Sequence, residues 1–370
     1  MPSTPGKTGT NSDWSSREDP DLNKSFSENA LKKRIFSPTT FISFTIAALI
    51  ISFLLTRFDI DLSQTWKRIY QADPQLYLAA AIVYYVGFIV RGYRWRLLVQ
   101  NAHPEETKNP LPSLMFFGQS MFLGWFVNSI SWFRMGDAYR AYLLSTKGQL
   151  SFSRTMGSVL AERVLDMLMV TGLLALAAGM LWTNKSENIS GLLIIAIGLA
   201  CLALIGLLGM TIIGKRLALR LPGPLRTIYL NFHEGTTKSF RRLPLIILAS
   251  AMSWLFEVMR LFLIAYALNI EVSIPLLLFT ALAASLLSTA PITPGGVGIV
   301  EFGMTGIFMI ALSREDAISL TLLDRSIQYL SVIILGSLLF MVRALLTRQS
   351  DAANSKPDPQ RKVPPSDDQN

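Results

Sequence analysis

The sequence predicts an all-α, polytopic membrane bundle of about six full crossings and two broken or re-entrant helical pairs, some 8–10 helical segments in total. Three observations carry this. Hydrophobic residues make up 51% of the chain and charged residues 16%, with a mean hydropathy of +0.40. Apolar runs long enough to cross a bilayer recur along its length. Two of those runs are interrupted where a helix would be expected to continue.

Residues 1–37 are polar and read as a disordered cytoplasmic tail. They are too long to precede a signal peptide's apolar core. Lys32, Lys33 and Arg34 stand before the first span, 39–56, and basic residues favour the cytoplasmic side. A stretch around Trp66–Tyr70 looks amphipathic and fits the outer face. The second span, 75–90, ends at Arg91, Arg94 and Arg96, which return the chain to the cytoplasm.

Residues 111–133 are apolar but carry Gly118, Gln119, Gly124, Asn128, Ser129 and Ser131. A full crossing would put Arg134, Asp137, Arg140, Lys147 and Arg154 outside, against the distribution of positive charge. A broken pair from 111 to about 145, entering from the cytoplasm, fits better. Spans at 157–182 and 189–213 follow. Segment 214–243 holds seven Lys or Arg against Glu234. Its Pro222-Gly223-Pro224 turn leads into an amphipathic stretch expected to lie on the membrane surface. A span at 244–268 goes out again.

The second broken pair begins at 275 and meets Pro291-Ile-Thr-Pro-Gly-Gly-Val-Gly-Ile-Val-Glu301. Two prolines remove backbone donors and three glycines weaken a helix. Irregular backbone at membrane depth is tolerated only where protein or a water-filled cavity satisfies it. The last span, 318–342, leads to a disordered cytoplasmic tail at 347–370. The membrane domain is thus expected at 38–346, and pairs entering from opposite faces would suit inverted-topology halves.

Composition also limits the function classes. Cys201 has no partner for a disulfide and reads as inert packing. His103 and His233 sit in polar loops, no metal-ligand spacing occurs, and no cofactor is expected. The net charge of +9 flanks apolar segments, which points to topology and anionic headgroups rather than nucleic acid.

Ionisable groups inside apolar runs are costly unless paired. Helical spacing puts Glu162 and Asp166 on one face with Arg163 in reach of Asp166, and Glu257 near Arg260. Asp324 and Arg325 are adjacent and so cannot face each other. Internal salt bridges would account for each of these. Pro and Gly can likewise serve only close helix packing. The 291–301 run is neither a phosphate-binding P-loop nor a dinucleotide fingerprint. A half-helix starting near Gly296 would present N–H groups and a positive dipole end. Glu301, in the same first turn, either caps that helix and pairs with an arginine such as Arg325, or titrates in a transport path.

These residues carry a resemblance. Arg94-Trp95, Arg134-Met-Gly-Asp137-Ala-Tyr-Arg140, Glu162-Arg163-Val-Leu-Asp166, Pro294-Gly295-Gly296-Val-Gly298-Ile-Val-Glu301 and Arg325 together resemble the membrane domain of lysylphosphatidylglycerol synthases, the flippase-like or UPF0104 family, over most of 40–345. Ser131-Trp-Phe133 stands where many relatives have proline and glycine. In bifunctional members a soluble domain transfers lysine from aminoacyl-tRNA to phosphatidylglycerol, and the membrane part moves the product. Here about 25 residues follow the last span, so the resemblance implies no synthase activity in this chain. Other relatives look like partners of enzymes in hopanoid or polyprenyl-linked sugar pathways.

The resulting expectation is a lipid transporter of the bacterial inner membrane with both termini cytoplasmic. Its substrate would be an anionic or polyprenyl-phosphate-like lipid, handled between the two broken pairs, with a membrane enzyme as a possible partner. Arg140, Arg163 and Arg325 are the candidates for a headgroup phosphate, because the guanidinium fork matches phosphate oxygens. Glu162, Asp166 and Glu301 would orient them or bind a cation. Arg134, Asp137, Pro294, Gly295, Gly296 and Gly298 complete the candidate site. The alternatives are an integral-membrane glycosyltransferase or its accessory subunit, for which no Asp-x-Asp site is found in the cytoplasmic loops, and a scaffold without substrate.

Overall fold

A computed structural model describes residues 62–104, 110–131, 134–181, 222–289 and 293–354, with isolated positions between 198 and 209. The spans expected at 39–56 and 189–213, the tail at 1–37, and Trp132, Phe133, Pro291 and Ile292 lie outside the described residues. The described elements are all helical: α1 (Leu62–Tyr70), α2 (Pro74–Ala102), α3 (Leu114–Ile130), α4 (Met135–Gly148), α5 (Phe152–Leu181), α6 (Gly223–Lys238), α7 (Leu243–Ala267), α8 (Ile274–Thr289), α9 (Ile299–Phe308), α10 (Arg314–Arg325) and α11 (Val332–Asn354).

Among the described residues three stretches are long and apolar enough to cross a membrane: α2, α7, and the helix 314–343. Helix α5 is as long, at 30 residues, but carries Glu162, Arg163 and Asp166. Helix α2 starts where Asp73 accepts from the N–H groups of Gln75 and Leu76, with Pro74 already holding a helical φ. It does not end near 90 as the arginines predicted. It runs on to Ala102, because Arg91 and Arg94 are buried and paired inside the bundle.

A hydrogen bond from Asp73 N to Ala267 O, 2.9 Å, ties the start of α2 to the end of α7, so these two long helices are antiparallel. Helix α1 lies at the same end, with Arg68 3.5 Å from Asp316 at the start of α10. At the opposite end α3 folds back along α2, pairing Phe117 with Trp95 and Trp125 with Phe88. Seventeen residues later it stops. Its Asn128 side chain accepts the Gly136 N–H at 2.8 Å, and α4 returns alongside. A Cβ at Gly136 would lie 1.8 Å from Gly124 O, so this hairpin closes only on glycine.

Helices α8 and α9 form the second hairpin, entering from the other end. Both expected broken pairs are therefore present, and they enter from opposite ends. Their tips meet in the middle: a Cβ built on Gly295 lies 3.3 Å from Ser129 Cα, and Tyr329 of the last long helix donates to Ser129 O at 3.3 Å. Gly295 has φ +62, and a Cβ there would strike the Tyr329 ring at 2.5 Å. Only glycine satisfies both constraints.

The long helix α10–α11 is interrupted by a π-helical turn, Ser326–Ser331. Tyr77 and Tyr85 of α2 hydrogen-bond its two terminal serines at 2.6 and 2.5 Å. The helix continues to Asn354, past the boundary expected at 346.

Helix α6 packs one face on α5: a Cβ at Gly235 would fall 2.0 Å from Arg154 O, and His233 and Thr236 are buried. Two expectations fail here. His103 caps α2 and is buried as well, so neither histidine lies in a polar loop. Cys201, read as packing, is exposed.

Candidate functional site

The charges of α2, α4 and α5 form a closed circuit of alternating sign. Arg94 reaches Glu162 at 2.6 Å and Asp166 at 2.6 Å. Arg140 reaches Glu162 at 2.6 Å and Asp137 at 3.2 Å. Arg163 closes it, 2.9 Å from Asp137 and 3.4 Å from Asp166. Arg134 attaches to Asp137 from outside, at 3.3 Å. Helical spacing on α5 made part of this legible. The carboxylate left over by Arg163 is taken by Arg94 and Arg140, from two other helices.

A second network joins α2, α7 and α10. Arg91 pairs with Glu257, and Glu257 with Arg260. Arg260 donates to Asp324 at 2.8 Å, and Gln328 donates to the other Asp324 oxygen at 3.2 Å. A third set closes the α9 tip. Glu301 accepts the Gly298 N–H at 2.6 Å and the Arg325 Nε–H at 2.7 Å. Arg325 also donates to Gly295 O at 3.1 Å. Of the two roles foreseen for Glu301, this geometry is the helix cap with an arginine partner.

Aromatic faces hold the cations from behind. Arg140 lies over Trp95, Arg260 over Tyr84, Arg325 over Tyr329, and Arg91 beside both Phe88 and Trp125, with centroid distances of 4.8–5.2 Å. Such contacts add about 1–2 kcal/mol when desolvated. They leave the guanidinium edges directed at carboxylates.

Between the hairpin tips is a cavity of about 170 Å³, with Arg91, Arg94, Arg134, Glu162, Arg163, Asp166, Glu257, Gly295, Arg325, Gln328 and Tyr329 among its walls. A bound water needs roughly 10–15 Å³ on this measure. The space suits a polar headgroup with water and is too small for acyl chains.

Of the twelve predicted site residues, Arg134, Glu162, Arg163, Asp166, Gly295 and Arg325 line this cavity. Asp137 and Glu301 stand behind it as partners. Arg140 is a correction: it is 1% exposed and absent from the wall, so it orients Glu162 and Asp137 rather than holding a phosphate itself. Gly296 and Gly298 contribute backbone shape, each with positive φ. Pro294 opens the short 3-10 turn at the tip. Sequence reasoning missed Arg91, Arg94, Glu257, Gln328 and Tyr329 as wall residues. The two arginines were taken for the end of a span, although their i, i+3 spacing matches that of Glu257 and Arg260.

The family model for the lysylphosphatidylglycerol synthase TM region matches residues 40–336. The chain belongs to this family. It is 30% identical to a UPF0104 membrane protein of Methanocaldococcus jannaschii, over 59% of this chain and 94% of that protein. A UPF0104 membrane protein of Pyrococcus horikoshii is 23% identical, over 78% and 93% respectively. The glycosyltransferase AglD of Haloferax volcanii is 24% identical, over 87% of this chain but 58% of AglD. The family and the long apolar helices make this a multi-pass membrane protein.

Proposed function

We propose that the protein moves an amphipathic lipid with an anionic, phosphate-bearing headgroup between membrane leaflets. One observation carries this reading. Across the three networks seven arginines face six carboxylates, and the surplus cation is Arg134. Its side chain is 31% exposed, the most of the seven, and it lines the cavity at the first hairpin tip. It is also held in the left-handed region at φ 54, which costs an ordinary residue roughly 1–2 kcal/mol. Strain kept at the surplus charge in a cavity fits ligand binding better than packing. Backbone N–H groups and the positive end of α4 add to the field there.

The substitution Arg134→Gly separates the two readings. It relieves the backbone and removes one partly buried ion pair whose acid keeps Arg140 and Arg163, so stability should hold or rise by about 1 kcal/mol. Movement of tail-labelled phosphatidylglycerol across proteoliposomes should fall at least tenfold. Wild-type movement in the variant, or none in the parent protein, sinks the proposal.

The likeness to AglD favours a second reading, a membrane component of lipid-linked glycosyl transfer. Transfer of sugar by the purified chain to a polyprenyl phosphate would replace transport with that reading. The end of the bundle that holds α1 and the start of α2 is proposed to face the outer side, and the far end of α11 the cytoplasm, as the charge distribution predicts.

A further inference from the structure

The ion pairs repeat. Helix α2, the α3–α4 hairpin and α5 make one set; α7, the α8–α9 hairpin and α10 make another, running the opposite way. In each set an arginine on the first long helix holds an acid on the last: Arg94 with Glu162 at 2.6 Å, Arg260 with Asp324 at 2.8 Å. In each, the next residue is an arginine that reaches back to the hairpin: Arg163 to Asp137 at 2.9 Å, Arg325 to Glu301 at 2.7 Å. Both of those acids are the third residue of the returning half-helix, and both half-helices start from a residue with positive φ, Arg134 and Gly298.

Counterpart positions also touch. Arg91 and Glu257, each three residues before the arginine of its long helix, are 166 residues apart and form an ion pair. The other counterparts keep that spacing to within four residues. Contact between equivalent positions places Arg91 and Glu257 on the axis relating the halves. The halves carry this likeness in ion pairs and helix geometry, which is why it escapes a reading of residue identities.

Arg163 stands eleven residues into α5, and Arg325 eleven residues into α10, counted from opposite ends of the bundle. At 1.5 Å per residue each is about 16 Å from its own end, near the middle of a ~30 Å hydrocarbon core. Each is approached from a different face.

Resting on the transport reading above, we infer that the cavity is two inverted headgroup half-sites. A phosphate arriving from the face where the α3–α4 hairpin enters meets Arg163 first. One arriving from the other face meets Arg325 first. Asp137 and Glu301 hold these arginines until the phosphate takes over, and the lipid passes from one half-site to the other. Arg94 and Arg260 are positioning residues for the acids beside them.

The test uses the full chain in proteoliposomes of uniform orientation, with tail-labelled phosphatidylglycerol confined to one leaflet at a time. Initial rates against probe density give an apparent KM for each leaflet. Lysine keeps the charge but loses the guanidinium fork. Arg163→Lys should raise KM roughly tenfold from the α3–α4 face and leave it within twofold from the other; Arg325→Lys should do the reverse. A residue that only supports the fold would shift both faces alike. If the parent protein moves no probe, the transport reading falls. If it moves probe and either variant changes both KM values equally, or neither, the half-site inference falls while transport stands.

Discussion

Replacing Glu301 by glutamine puts the geometry of the second hairpin tip to a quantitative test. The carboxylate uses one oxygen to cap α9 through Gly298 N–H, at 2.6 Å, and the other to hold Arg325 Nε–H, at 2.7 Å. Glutamine has one acceptor oxygen. It can keep the cap or the clamp, and in either case its NH₂ group is turned on an N–H donor. A capping bond contributes about 1 kcal/mol, and a hydrogen bond to a charged group about 1.5–3 kcal/mol. Losing one of the two while keeping the other should cost Glu301→Gln about 2 kcal/mol. Glu301→Ala loses both and should cost about 4 kcal/mol. The measurement is equilibrium unfolding of the purified protein in mixed micelles, run beside lipid movement in proteoliposomes. Movement should fall more than tenfold in Glu301→Gln even where the protein is folded, because Arg325 is no longer aimed. If Glu301→Gln unfolds with the parent protein and moves lipid at the parent rate, the cap-and-clamp reasoning is wrong.

Gly136→Ala should be among the most damaging small changes, since its methyl group would fall 1.8 Å from Gly124 O; a loss of about 3 kcal/mol or more is expected by unfolding titration. Gly172→Ala, with open space around it, should stay within about 1 kcal/mol of the parent protein. Glu162→Gln should cost about 3 kcal/mol, the low end for breaking a buried pair, because Arg94 keeps Asp166 and Arg140 keeps Asp137. Burial pushes the His103 imidazole down to about 4. The unfolded chain then binds a proton that the folded chain refuses, so stability should drop as pH falls from about 6.5 to 4, by up to roughly 3 kcal/mol. Thermal midpoints at pH 7.5 and 5 should show a smaller drop in His103→Gln than in the parent protein.

Much of the architecture was legible because charge and helix-breaking residues obey strong constraints in apolar surroundings. The glycine-rich run at 294–298 and the polar end of α3 marked the two hairpins, and the charge distribution put their entries at opposite ends of the bundle. What was not legible depends on partners far apart in the chain. Arg91 and Arg94 looked like the end of a span because nothing nearby balances them; their carboxylates come from α5 and α7. Arg140 looked like a ligand-binding residue for the same reason, and is instead sealed against Glu162 and Trp95. His103 and His233 were placed in loops because their neighbours in sequence are polar, although one caps α2 and the other lies on α6 where it packs on α5, and both are buried. At Ser131 the absence of proline and glycine did not prevent the break. Arg134 takes up the left-handed conformation in their place.

The π-helical turn between Arg325 and Val332 gives the last long helix a property of its own. A π turn holds one more residue than an α turn for nearly the same advance. The helix has therefore absorbed an extra residue at the cavity without rotating either flank. Above the turn, Asp324 and Arg325 stay aimed by Arg260 and Glu301; below it, Phe340 stays packed on Phe126. Gln328 and Tyr329 occupy the slack, secured to α2 by tyrosine hydroxyls at both ends. The turn thus sets Gln328 and Tyr329 into the cavity wall while both flanks of the helix keep their register.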